Sequence, residues 1–118
     1  MPKKTYAELT VWQKAMDLAV SVYRCTEILP KEEMYGLKSQ MRRAGISIPS
    51  NIAEGQARWS RKPFLLHLSI ARGSLCELET QILLACKLEY LNDRQQNGLM
   101  NQCLEVKQLL NGLSKSIE

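Results

Sequence analysis

Aromatic side chains are scarce in this sequence: one phenylalanine, two tryptophans and four tyrosines make up 6% of 118 residues. A β-sandwich draws on more aromatic and β-branched residues than this, so the scarcity favours helices packed by aliphatic side chains. Histidine is scarcer still, with His67 alone. Four cysteines, Cys25, Cys76, Cys86 and Cys103, stand 51, 10 and 17 positions apart and form no C-x-x-C pair, so no metal-ligand set is expected. They read as small buried hydrophobes of a reducing compartment. No apolar run approaches the ~20 residues a membrane span requires. The opening stretch MPKKTYAELTVWQKAMD has no long apolar core of the kind a secretory leader carries. These absences point to a soluble, cytoplasmic protein without metal or cofactor, and the length suits one domain, 1–118, with one core.

What is present is helical periodicity. Val11, Ala15, Leu18, Val22, Cys25 and Leu29 alternate at spacings of four and three, after a Thr10–Gln13 pair that matches a capping box. Trp12, Met16, Ala19 and Tyr23 widen this apolar face beyond one seam, and Pro30 ends the segment. Phe64, Leu68, Ala71, Leu75, Leu78, Ile82 and Ala85 sustain the same alternation, with Ser60 as a candidate cap and Pro63 in the first turn. After a second capping box, Asn92–Gln95, the positions Leu99, Cys103, Val106, Leu110, Leu113 and Ile117 repeat it again. A sustained 3.5-residue period argues for nearly parallel helix axes. The predicted helices cover about 10–29, 33–56, 61–89 and 93–116, and short connections make neighbours antiparallel. The expected fold is an all-α, up-down-up-down four-helix bundle.

The second segment departs from regularity. Met34, Leu37, Met41, Ala44 and Ile48 keep the period, then Pro49 arrives and the next apolar residue, Ile52, comes four positions after Ile48. An interior proline removes one helical hydrogen bond and crowds the carbonyl four residues back. The sequence predicts a helix kinked near Pro49, with Ser47 and Ser50 placed to satisfy what it frees. Two helices, the second capped by Ser47, are the alternative.

Charge is unevenly spread. From Lys38 to Arg72 there are seven bases and one acid, a local charge of +6, while the remainder carries nine bases and eleven acids. Arginine outnumbers lysine five to two in that span, and guanidinium groups suit bidentate phosphate contacts. The candidate nucleic-acid contacts are Lys38, Arg42, Arg58, Arg61 and Lys62. Trp59, outside both apolar seams, either stacks on a base or packs over its loop. A polar stripe, Gln40, Arg43, Ser47, Ser50 and Glu54, runs one position behind the apolar seam. It reads as a solvated face or as a buried or interfacial network of Arg43, Ser47, Ser50, Asn51, Glu54 and Arg72; its short uncharged side chains favour the network.

Enzyme chemistry is not expected. Glu77 and Glu79 are two apart and face different sides of their helix, no histidine follows at carboxylate-bundle spacing, and no nucleophile or phosphate loop accompanies Glu54, Arg72 or Glu77. His67, one position before the seam residue Leu68, reads as a packed or surface histidine.

Three stretches, LTVWQKAMDLAVSVY, YGLKSQMRRAGISIPSNIAEG and IARGSLCELETQILLA, together resemble the four-helix-bundle proteins encoded in intervening sequences of bacterial 23S ribosomal RNA genes. The likeness runs in order from about Leu9 to Leu91, and the fourth helix agrees in pattern only. Gly45 departs from it, where a better helix former is expected. The resemblance implies a ring-forming homo-oligomer, a homopentamer. A related branch, the accessory variability proteins of diversity-generating retroelements, implies nucleic acid, RNA or DNA, and a reverse transcriptase as partners. Two functions follow as expectations: a nonenzymatic oligomer that binds structured RNA through a phosphate-directed basic patch, or an assembly adaptor for a protein partner such as a reverse transcriptase.

Overall fold

The computed structural model describes residues 5–118. The first four residues, part of the stretch read above as lacking a leader core, lie outside the described residues. Among the described residues the fold is all-α, with four long helices and no strand: α1 (Thr10–Thr26), α2 (Leu37–Ala57), α3 (Arg61–Lys87) and α4 (Asp93–Ile117). Each helix packs on two others: α1 and α3 both lie against α2 and α4.

The core is built from the periodic seams. Ala15, Leu18 and Val22 of α1, Met41, Ile48 and Ile52 of α2, Leu68 to Ala85 at seam spacing in α3, and Cys103, Val106 and Leu110 of α4 are fully enclosed. Each large aliphatic side chain so buried favours the fold by about 1.5–3 kcal/mol relative to leaving it in water. Cys25, Phe64, Leu113 and Ile117 pack at the margin of this core. Met34, counted in the second seam from its spacing, is exposed, because the helix starts after it.

The helix ends show where local chemistry outweighs periodicity. The Thr10–Gln13 box does not form at the start of α1; Leu9 takes the cap position, and Gln13 Nε2 donates instead to the Ala7 carbonyl at 2.9 Å across a short 3-10 turn, Tyr6–Glu8. Asn92 and Gln95 do form their box, at 2.8 and 2.9 Å, and start α4. Ser60 holds the cap position of α3 in extended geometry without a side-chain cap bond.

α1 stops at Thr26, short of position 29. The Thr26 hydroxyl donates to the Val22 carbonyl at 2.7 Å, and an arginine of α2 takes the Tyr23 carbonyl, so the last turn is satisfied early. α2 starts at Leu37, not near 33, because Glu33 caps it: Glu33 Oε1 accepts the Leu37 amide at 3.0 Å. α3 stops at Lys87, where Glu89 adopts the left-handed φ of 65° and the Tyr90 amide folds back to the Ala85 carbonyl at 2.9 Å.

α2 runs unbroken through Pro49, so Ser47 does not cap a second helix. Residues on two adjoining faces of α2 are buried. Gly45 meets Ala19 and Val22 of α1, and Gly55 meets Phe64 and His67 of α3.

Candidate nucleic-acid interface

Between α2 and α3 a chain of polar side chains joins the two helices. Ser47 Oγ and Ser74 Oγ share a hydrogen bond at 2.8 Å. Asn51 Nδ2 donates to the Ser47 carbonyl at 2.9 Å and to Ser47 Oγ at 3.1 Å. Both donations fix the Asn51 amide with its oxygen toward His67, whose Nδ1 lies 3.1 Å away. An amide oxygen only accepts, so in this arrangement Nδ1 carries the proton. The other ring nitrogen, Nε2, stands 4.0 Å from Glu54 Oε1, and Arg58 reaches the same oxygen at 3.4 Å.

Three of the residues assigned from sequence to such a network, Ser47, Asn51 and Glu54, are brought together here. The other three are elsewhere. Ser50 is exposed and lines a groove toward α1. Arg43 lines a polar recess with Gln40, Ser74 and Glu77, beside the bonded chain. Arg72 points to α4, with its terminal nitrogen 3.4 Å from Ser114 Oγ. Sequence reasoning missed Ser74 and the role of His67. The signal available for both was their spacing on α3: positions 67 and 74 are seven apart, on one face of a helix.

The basic residues do not form one patch. Lys38 lies at the start of α2 and Arg58 just past its end, 20 positions along one helix, about 30 Å apart at ~1.5 Å per residue. At the far end Arg58, Arg61 and Lys62 are all exposed around Trp59, which is 49% exposed and holds φ at 57° in the turn. Arg58 shares Glu54; among the described residues Arg61 and Lys62 have no ion-pair partner.

Arg42, read as a phosphate contact, is engaged within the fold. Its Nε donates to Thr26 Oγ1 at 2.9 Å, and its terminal nitrogen donates to the Tyr23 carbonyl at 3.1 Å and Glu27 Oε1 at 2.7 Å. The guanidinium also lies 4.4 Å from the centre of the Tyr23 ring. The Arg42 hydrogen bond, with Lys38 nearby, holds the Glu27 carboxyl below the usual carboxylate range. Position 42 is one residue from Arg43, so a rotation of about 100° sends Arg42 to α1 while Arg43 stands between two recesses, one toward Ser74 and Glu77 of α3 and one beside Tyr23 and Tyr35.

Beside this clamp runs an apolar groove of about 620 Å³ between α1 and α2. Trp12, Met16, Val20 and Tyr23 form one wall and Ile46 and Pro49 the other. Tyr6 closes one end, stacked edge-on against Trp12 at 5.2 Å. Met16, Val20, Tyr23 and Ile46 are each substantially exposed there. Trp12, Met16, Ala19 and Tyr23, the residues that widened the first helix beyond one seam, all line this groove.

Among the described residues no three of His, Cys, Asp or Glu gather as a metal site, and no helix is long and apolar enough to cross a membrane. All four cysteines are free thiols.

A family profile described as 23S rRNA-intervening sequence protein matches residues 7–112. The chain belongs to that family. The intervening-sequence family assignment is accompanied by likeness to a solved structure, the crystal structure of a protein with unknown function from the S23 ribosomal protein family of Bacteroides thetaiotaomicron. The two share 28% identity over 90% of this chain and 99% of that one, with a TM-score of 0.83. No curated protein matches the chain.

Proposed function

We propose that this intervening-sequence family member is a nonenzymatic, cytoplasmic, oligomeric nucleic-acid-binding protein whose ligand is structured RNA. The observation that carries the reading is the α2–α3 turn, where Arg58, Arg61 and Lys62 are exposed on either side of Trp59 in the chain and, among the described residues, Arg58 alone has an ion-pair partner, Glu54. Such a cluster suits phosphate contacts that weaken steeply with salt.

The protomer is read as an up-down-up-down bundle. Later residues of α2 meet earlier residues of α3, Ser47 with Ser74 and then Asn51 with His67, which supports antiparallel neighbours. Pro49, which supplies no amide hydrogen to the Gly45 carbonyl, supports a bend in α2 at that point. The assembly is a ring-like homopentamer. The exposed α1–α2 groove supports self-association, since a monomer rarely leaves so continuous an apolar surface in water. A ring repeats the basic turn and converts weak contacts into avidity.

The test is light scattering after size exclusion, then RNA and DNA binding titrated against salt. An oligomer that binds at low salt and loses binding in an Arg58/Arg61/Lys62 triple alanine variant is expected. No binding at low salt removes the reading. The second reading, an adaptor for a protein partner such as a reverse transcriptase, is favoured by the same apolar groove. Protein capture that depends on Met16 and Ile46 and survives the triple alanine change would select it.

A further inference from the structure

Tyr35 is 91% exposed, far more than any other large apolar side chain described, and nothing in the packing of the core requires a ring there. It sits in the turn that leads into α2. That turn is tied down on both sides by one carboxylate: Glu33 Oε1 accepts the Leu37 amide at 3.0 Å, and Glu33 Oε2 accepts the Tyr90 hydroxyl at 3.0 Å. Gly36 lets this carboxylate fold back, since a Cβ at 36 would lie 2.8 Å from Glu33 Oε1. The ring is therefore presented to solvent from an anchored turn.

Beside it opens a recess of about 460 Å³, lined by Tyr23, Met34, Tyr35, Lys38, Arg42 and Arg43 among others. That volume lies within the ~300–1,000 Å³ range of small-molecule sites. The lining holds three bases and no acid. Arg42 is held by Glu27, whereas Lys38, which only lies near that carboxylate, and Arg43, which borders this recess and the one with Glu77, make no ion pair among the described residues. An exposed aromatic ring flanked by cations that no ion pair ties down is the combination that binds unpaired nucleotides: the ring stacks on the base and the cations take the phosphates. A solvated turn explains an exposed tyrosine alone. It does not explain one carried on an anchored turn and bordered by a recess lined with bases and no acid.

We propose that this recess holds one unpaired nucleotide of a nucleic acid, with Tyr35 stacking on the base and Lys38 and Arg43 contacting the adjoining phosphates. The inference rests on the nucleic-acid reading above and adds a second site, at the other end of α2 from the basic turn. It makes the protein prefer loops and single strands over duplex.

The test compares wild type with Tyr35→Ala and Tyr35→Trp on three fluorescent probes: an unstructured single strand, a stem-loop with 2-aminopurine in its loop, and a perfect duplex. Position 35 is exposed, so neither change disturbs the core. Tyr35→Ala is expected to weaken the single strand and stem-loop by roughly tenfold and to remove the 2-aminopurine quench. Tyr35→Trp retains both, and duplex binding is unchanged in each variant. Lys38→Ala and Arg43→Ala each lower the salt dependence by about one phosphate contact. If the single strand binds wild type and Tyr35→Ala alike, the proposal falls while the nucleic-acid reading stands. If wild type binds none of the probes, both fall. Adenosine monophosphate provides the last arm. A Tyr35-dependent site for it that the oligonucleotides do not compete for would overturn the proposal in favour of a free nucleotide.

Discussion

Gly55 of α2 lies so close to His67 of α3 that a Cβ at position 55 would stand 2.6 Å from the His67 Cβ. The opposing atom belongs to the root of a side chain, so it moves only if a helix moves. This contact sets the approach of α2 to α3 at the end that carries the basic turn. Gly55→Ala is expected to destabilise the protein by about 1–3 kcal/mol through overpacking. Urea denaturation checks it, and an unchanged midpoint would show that the helices separate without cost.

Gly45 predicts the opposite sign. A Cβ there meets Val22 and Ala19 of α1 at 3.7–3.8 Å, ordinary contact distances. Gly45→Ala removes backbone freedom from the unfolded chain and is expected to stabilise by about 0.5–1 kcal/mol. The two variants measured side by side separate a glycine required by close approach from one the helix merely tolerates.

The contrast between these glycines marks the boundary of what was legible in the sequence. The apolar seams of α1, α3 and α4 could be read because burial repeats with the helix period, and the Asn92–Gln95 box because its partners are three residues apart. Which neighbour a polar side chain faces is a tertiary matter. Spacing placed Ser47 and Glu54 on one stripe, and the bonded chain from Ser47 through Asn51 to His67 does end beside Glu54, but the stripe could not show that Arg43 lies beside that chain or that Arg72 turns to α4. The basic span 38–72 looked continuous in sequence, yet a helix some 30 Å long divides it between two ends. Gly45 looked like a weak point in the second helix; its place against α1 was invisible without the fold.

Glu89 holds φ at 65°, a left-handed conformation that a side chain disfavours, at the turn closing α3. Glu89→Gly relieves it and is expected to raise stability by up to about 1 kcal/mol. Glu89→Ala keeps the Cβ and should gain nothing. Thermal melting of the pair checks this, and an equal gain from alanine would assign the effect to the lost charge instead.

Arg42 ties the end of α1 to α2, so Arg42→Met is expected to cost about 1–2 kcal/mol by leaving the Tyr23 carbonyl and Thr26 hydroxyl without their donor. The Glu27 partner adds a pH signature. Its carboxyl is held below the usual range in the fold, so its contribution is complete above the ordinary carboxylate pKa and disappears as pH falls through the lowered value. Glu27→Gln should flatten that acid limb while leaving neutral-pH stability largely in place, because the pair is exposed on the Glu27 side. A limb of unchanged slope in Glu27→Gln would place the acid sensitivity elsewhere.

The cysteines offer a clock for opening of the bundle. Burial pushes the Cys103 thiol up to about 12, so at pH 8 almost none of it is thiolate, and the side chain is enclosed in the core. Cys76 is exposed on α3, whereas Cys25 and Cys86 are half-buried and both raised by desolvation. Because the thiolate is the reacting species, a thiol reagent at pH 8 is expected to modify Cys76 first and Cys103 last. With reagent slow relative to reclosing, Cys103 should then react in proportion to the population in which α4 has left the core, and that rate should rise in Gly55→Ala in step with its lost stability if opening is global. Mass spectrometry of the labelled peptides gives the order directly. Early labelling of Cys103 without loss of stability would mean that α4 detaches by itself, giving up its seams with α1 and α3 while α1, α2 and α3 stay together.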